Sequence, residues 1–180
     1  LQIYDNNLDL PDSLVIDIDS NLTGEIPVEI GNLVNLQQLD LRNNKLTGIF
    51  PKELTNLSNL SSLLLNGNQL SGKIPLEIGM FQELVSIDIG KNQFTGEIPE
   101  SLFNLTNLNF LSLANNNLDG TINSNINNLS LIYFLDLSSN NFSGEIPIEI
   151  NELDLYFLKL NNNQFSGSIP NEFCDIDYLY

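Results

Sequence analysis

The 23 acidic residues hold most of the chemistry in this 180-residue chain, and they recur in columns. Asp17, Asp40, Asp88 and Asp136 share one repeat position, and Glu29, Glu53, Glu77, Glu149 and Glu172 share another. Two carboxylates in unlike surroundings can divide acid and base work at a glycosidic bond. A column of acids reads instead as a solvated face, with no member set apart by a raised pKa. The chain has no His, which removes Ser-His-Asp and Cys-His nucleophilic machinery. One thiol, Cys174, and no imidazole leave no zinc site and no internal disulfide. No catalytic residue, metal or cofactor is assigned, and a non-enzymatic role is expected.

Aromatic side chains are the other candidates. Phe110, Phe134 and Phe157 occupy equivalent positions, and Tyr133 and Tyr156 directly precede two of them. Rigidly held aromatics are favoured anchors for a partner. They are also ordinary strand residues. With Asp136 and Lys159 beside them they form the candidate binding patch.

A repeat of 24 residues positions all of these: L-x-x-L-x-L-x-x-N-x-L-x-G-x-I-P, followed by further inward apolar sites. Its first position falls at Leu36, Leu60, Leu84, Leu108 and Ile132, and its Gly at Gly48, Gly72, Gly96, Gly120 and Gly144. A fixed period of this length marks a solenoid, each unit burying its apolar face against its neighbours. Leu39-Asp40-Leu41 and Ile87-Asp88-Ile89 alternate with period two, so each unit is expected to supply one short strand of a parallel sheet. Asn6, Asn21, Asn44, Asn68, Asn92, Asn116, Asn140 and Asn163 form a column best read as a buried structural ladder bonded to turn backbone. The Pro column fails at Asn123, where a looser unit is expected. The expected organisation is one array over 1–180: a half repeat 1–12, seven repeats 13–178, and the start of an eighth at 179–180. Polar end caps are not visible, so open ends and salt-promoted self-association are expected.

The segments L-T-G-E-I-P (22–27), F-T-G-E-I-P (94–99), F-S-G-E-I-P (142–147) and L-D-L-S-S-N-N-F-S-G (135–144) resemble the plant-type leucine-rich repeat. The resemblance covers nearly the whole chain. It implies an α/β repeat solenoid: a right-handed superhelix with a concave parallel sheet and an irregular or 3₁₀ convex side. It also implies a recognition module whose concave face binds a protein, peptide or glycan. The ectodomains of plant receptor-like kinases and polygalacturonase-inhibiting proteins look most similar, and this resemblance implies a location outside the cell or at its surface.

Net charge is −17, against nucleic acid and anionic membranes as partners, and it suits either solubility or a cationic partner. Sequons occur at Asn21, Asn56, Asn59, Asn104, Asn128 and Asn141. Asn56, Asn104, Asn128 and Asn141 are the glycosylation candidates, and Asn21 is expected to be buried. An intracellular or structural scaffold without a single ligand is the alternative class. An ice-binding solenoid is a third. Its Thr/Ser column (Thr23, Thr47, Ser71, Thr95, Ser143, Ser166) is broken by Asp119 and flanked by the charges of Glu25, Lys73, Glu97 and Glu145.

Overall fold

The computed structural model describes residues 14–18, 21–171 and 173. Asn6, Cys174 and the expected partial units at 1–12 and 179–180 lie outside the described residues. Seven short strands, Leu14–Asp17, Leu36–Asp40, Ser62–Leu64, Ser86–Asp88, Phe110–Ser112, Phe134–Asp136 and Phe157–Lys159, join in chain order into one parallel sheet. Parallel neighbours require a crossover, and the remainder of each coil supplies it. Ser86, Ile87 and Asp88 pair with Phe110, Leu111 and Ser112, which pair with Phe134, Leu135 and Asp136. Each repeat position thus becomes a row crossing the sheet. The inward member of each triplet is buried, as Leu63, Ile87, Leu111 and Leu135 are.

Each coil also carries a second short extended segment, where one strand per unit was expected. Thr23–Glu25, Lys45–Thr47, Ser71–Gly72, Gln93–Gly96, Asn117–Leu118, Ser143–Gly144 and Gln164–Phe165 form smaller parallel sheets. The reason is the stacking itself. Once coils superpose, any extended stretch meets its copy at strand spacing. The Gln93 N–H therefore donates to Leu70 O at 2.7 Å, and the Ser143 N–H to Gly120 O at 2.8 Å. The chain leaves this segment through the repeat Gly, which has φ +79 at Gly120, a region open to glycine at little cost.

The convex side consists of five-residue 3₁₀ turns, Val28–Asn32, Lys52–Asn56, Leu76–Met80, Glu100–Asn104, Ser124–Asn128 and Ile148–Glu152. No described residue is α-helical. Pro precedes five of these turns with φ between −63° and −70°, and its carbonyl accepts the first turn bond, as Pro99 O does from Leu102 N–H at 2.9 Å. The fifth turn, expected to be looser for want of Pro, keeps the same form. Asn123 holds φ −73°, and its side chain accepts the Asn125 N–H at 2.8 Å. An Asn cap thus substitutes for a pre-set φ.

The Asn side chains tie successive coils together. Asn92 Oδ1 accepts the Leu70 N–H at 3.0 Å, while its Nδ2 donates to Leu65 O at 3.0 Å and Ile89 O at 3.1 Å. Asn44, Asn68, Asn116, Asn140 and Asn163 repeat that pattern. Each satisfies backbone groups in two coils that no strand partner reaches. Asn21 departs from its expected place in the ladder. Ile18 and Leu22 stand one residue closer than Leu41 and Leu46 do, so Asn21 takes φ +78 and is exposed, accepting from Lys45 Nζ at 3.1 Å.

Candidate functional site

The outward face of the seven-stranded sheet is read row by row. One row runs Gln38, Ser62, Ser86, Phe110, Phe134, Phe157, from polar to aromatic. Strand pairing sets neighbouring side chains at strand spacing. The Phe110 and Phe134 rings accordingly stack, with centroids 4.4 Å apart and planes at 7°. Phe157 continues the strip, tilted by 48° with its centroid 5.7 Å from Phe134. Phe110 and Phe134 are half-buried in this contact. Phe157, Tyr133 and Tyr156 keep 42%, 43% and 45% of their surface exposed. Phe110, Phe134 and Phe157 thus share one face and one end of the sheet, and Tyr133 and Tyr156 directly precede its last two strands, lining a groove with Leu131 and Asp154.

The next row runs Asp17, Asp40, Leu64, Asp88, Ser112, Asp136, Lys159. Of its acids only Asp17 is exposed, so the row is not the solvated face expected. Asp40 and Asp136 are buried and Asp88 is half-buried, because strands on either side crowd a central row. Asp40 is held by Arg42, whose Nε donates at 2.8 and 2.9 Å and whose Nη2 donates at 2.6 Å. That pair raises the guanidinium pKa. Asp136 accepts the Ser138 N–H at 3.0 Å and its hydroxyl at 2.6 Å. Lys159 lies 3.7 Å from Asp136 Oδ2, with its ammonium 5.6 Å from the Phe134 ring centroid.

Asp88 differs from both. It accepts the Gly90 N–H at 3.1 Å and faces the hydroxyl of its cross-strand partner Ser112, but no base forms an ion pair with it among the described residues. Burial pushes its carboxyl pKa up, against the opposing pull of those donors. Sequence reasoning named no such acid. The available signal was Gly90, which stands where Arg42 and Ser138 stand in the units of Asp40 and Asp136.

Asn56, Asn104 and Asn128 are exposed last residues of their 3₁₀ turns, well away from the aromatic strip on the convex side. Asn141 is exposed, with its amide oxygen 3.4 Å from Gln164 Nε2. Asn59, also exposed, donates to Val34 O at 3.1 Å. Among the described residues no three acidic or cysteine side chains converge as metal ligands.

Family models described as Leucine rich repeat match residues 15–70, and again 83–105, 132–153 and 154–176. The ectodomain of the Arabidopsis thaliana membrane receptor kinase GASSHO1/SCHENGEN3, solved with CASPARIAN STRIP INTEGRITY FACTOR 2, superposes with TM-score 0.86 and 40% identity, covering 87% of this chain and 19% of that one. The Arabidopsis receptor kinase HAESA, in complex with the peptide hormone IDA and the co-receptor SERK1, gives 0.85 and 38%, covering 92% and 28%. A plant ice-binding protein gives 0.78 and 35%, covering 87% and 51%. No curated protein matches the chain. The chain spans about a fifth to a half of the length of these relatives. It belongs to the leucine-rich-repeat family, in its plant-type form.

Proposed function

We propose that this array is a non-catalytic recognition module of an extracellular, receptor-like protein, binding a peptide or protein segment on its concave sheet. The observation that carries the reading is the aromatic strip Phe110–Phe134–Phe157 with Tyr133 and Tyr156 beside it. The three Phe rings pack against one another, and all five side chains stay partly open to solvent, with no other described element covering the strip. Preorganised aromatics lose little side-chain entropy when a partner docks, which suits them as hot spots. Support comes from two of the similar structures, a receptor-kinase ectodomain in complex with CASPARIAN STRIP INTEGRITY FACTOR 2 and a receptor kinase in complex with the peptide hormone IDA. Asp136 and Lys159 flank the strip and give it polarity.

Selecting binders from a displayed library of random linear peptides tests the reading. Their affinities are then compared on the parent chain and on a Phe134→Ala/Tyr156→Ala variant. Each truncation is expected to cost ~1–2 kcal/mol of binding. Unchanged affinity in the double variant removes this face as the site.

Similarity to the ice-binding protein favours a second reading, an ice-contacting Thr/Ser column. Three of its hydroxyls are already turned toward backbone, Ser71 Oγ to Gly48 O, Thr95 Oγ1 to Gly72 O and Ser143 Oγ to Gly120 O, each at 3.3 Å. Glu25, Lys73 and Glu97 lie alongside the column. Thermal hysteresis in the purified chain would favour it over peptide recognition.

A further inference from the structure

Deepening the reading above, and resting on it, we infer that the concave face holds a subsite for a cationic side chain, an Arg or Lys of the bound peptide, between Asp88 and the Phe110 ring. Four residues frame it. Ser86 pairs with Phe110 and Asp88 with Ser112, so the four outward side chains mark the corners of one patch on adjacent strands.

Each corner has a defined role. Phe110 lies flat against Phe134 at 7°, so its other face looks back toward Ser86. A serine is too short to cover a ring, and that face is left for a ligand. Asp88 supplies a half-buried carboxylate with no base in ion-pair contact among the described residues, and Arg42, already paired with Asp40, acts on it only from a distance. Ser112, the cross-strand partner of Asp88, sets a hydroxyl beside that carboxylate.

Gly90 explains why Asp88 stays uncovered. In the units of Asp40 and Asp136 the residue two positions on is Arg42 or Ser138, and each sends a side-chain donor onto the acid. Gly90 donates only its backbone N–H. A Cβ at Gly90 would lie 3.0 Å from Ala114 O, 3.2 Å from Asp88 Oδ1 and 3.3 Å from Ser112 Oγ, so any side chain there would crowd the carboxylate.

The chain already builds this pair of contacts once from its own residues. Lys159 approaches Asp136 Oδ2 to 3.7 Å while standing 5.6 Å from the Phe134 centroid. One cation is thus shared between a carboxylate and a ring. Around Asp88 the places of Phe134 and Lys159 are taken by Ser86 and Ser112, so the ring comes instead from Phe110 on the next strand and the cation must come from outside. A ring face and a partly desolvated carboxylate both attract a cation, more strongly than either does in open water. The chain's charge of −17 draws such a side chain to the surface over longer range.

The test selects peptides from a displayed random linear library on the parent chain and, in parallel, on Asp88→Asn. Asn keeps one oxygen to accept the Gly90 N–H, so folding is retained, and a thermal melt checks it. Asp119→Asn, on an exposed residue of another face, controls for the loss of one charge. Parent and Asp119→Asn pools should both be enriched in Arg or Lys at one fixed spacing from an aromatic or aliphatic residue. Replacing that Arg by citrulline should weaken binding to the parent roughly tenfold, and binding to Asp88→Asn by far less. Peptides that depend on Phe134 and Tyr156 but carry no basic preference, or keep it on Asp88→Asn, overturn the subsite and leave the proposed function standing. A pool in which no peptide depends on Phe134 or Tyr156 overturns both.

Discussion

Asp88 and Gly90 stand two residues apart, and the only bond between them runs from the Gly90 N–H to Asp88 Oδ1, at 3.1 Å. The same backbone bond holds Asp40 and Asp136, at 3.1 and 3.0 Å. Of the three, only Asp88 has a second residue without a side chain, so its half-buried carboxylate has no ion-pair partner among the described residues and feels Arg42 only from a distance.

Asp88→Asn should therefore stabilise the free protein at neutral pH. Burial raises the carboxyl pKa in the folded state above its unfolded value. Across that window the folded chain binds the extra proton, so stability falls as pH rises and stays lower above the folded value. The variant should show a higher urea midpoint than the parent at pH 7, and the gap should close below the unfolded carboxyl range. A parent more stable than the variant at pH 7 would show that the ionised Asp88 is a net stabilising group.

Asn92→Ala and Asn116→Ala should each cost roughly 1–3 kcal/mol, since truncation strands buried backbone groups in two coils. Asn21→Gly should cost little, because Asn21 is exposed at φ +78, open to glycine, and its side chain accepts from an exposed lysine. Denaturant midpoints at fixed slope measure all three. Equal losses at Asn21 and Asn92 would contradict the difference in their surroundings.

Asn123→Ala removes the side chain that accepts the Asn125 N–H and also contacts Glu100 Oε1. A loss of about 0.5–2 kcal/mol is expected, in the range of a helix N-cap. Asn123→Pro should recover most of it, because φ is already −73° and Pro stands at this position in the neighbouring units. A proline variant weaker than the alanine one would show that the cap bond is not what orders this turn.

If the chain passes through a secretory pathway, glycans should occupy Asn56, Asn104 and Asn128, exposed ends of turns on the convex side. Peptide mass mapping before and after enzymatic deglycosylation reads each site. Exposure makes Asn21 accessible as well, against the expectation drawn from its column. An unmodified secreted chain would remove these assignments.

The folded Phe110–Phe134 stack makes a smaller demand on stability than on binding. Phe134→Ala should lose on the order of 1 kcal/mol for the ring pair, beyond the burial of a half-exposed side chain. The larger loss should appear in peptide affinity. A collapse of the fold on this substitution would mean that the strip is core and not a surface.

The 24-residue register was legible in the sequence because burial imposes it unit by unit. The inward Leu and Ile positions, the ladder Asn and the turn Gly each answer a backbone or packing need that recurs in every coil. So the parallel sheet, the 3₁₀ convex side and the row of aromatics at Phe110, Phe134 and Phe157 could be placed before any coordinates. The second set of short strands could not, since it follows from coils superposing and not from any alternation within one coil. The shared column of Asp40, Asp88 and Asp136 was visible, but their unlike environments were not. What each carboxylate experiences depends on the residue two positions on and on the side chains of adjacent strands: Arg42 for one, Ser138 with Lys159 for another, Gly90 and Ser112 for the third. Repetition in sequence specifies position, and tertiary neighbours decide solvation and pairing.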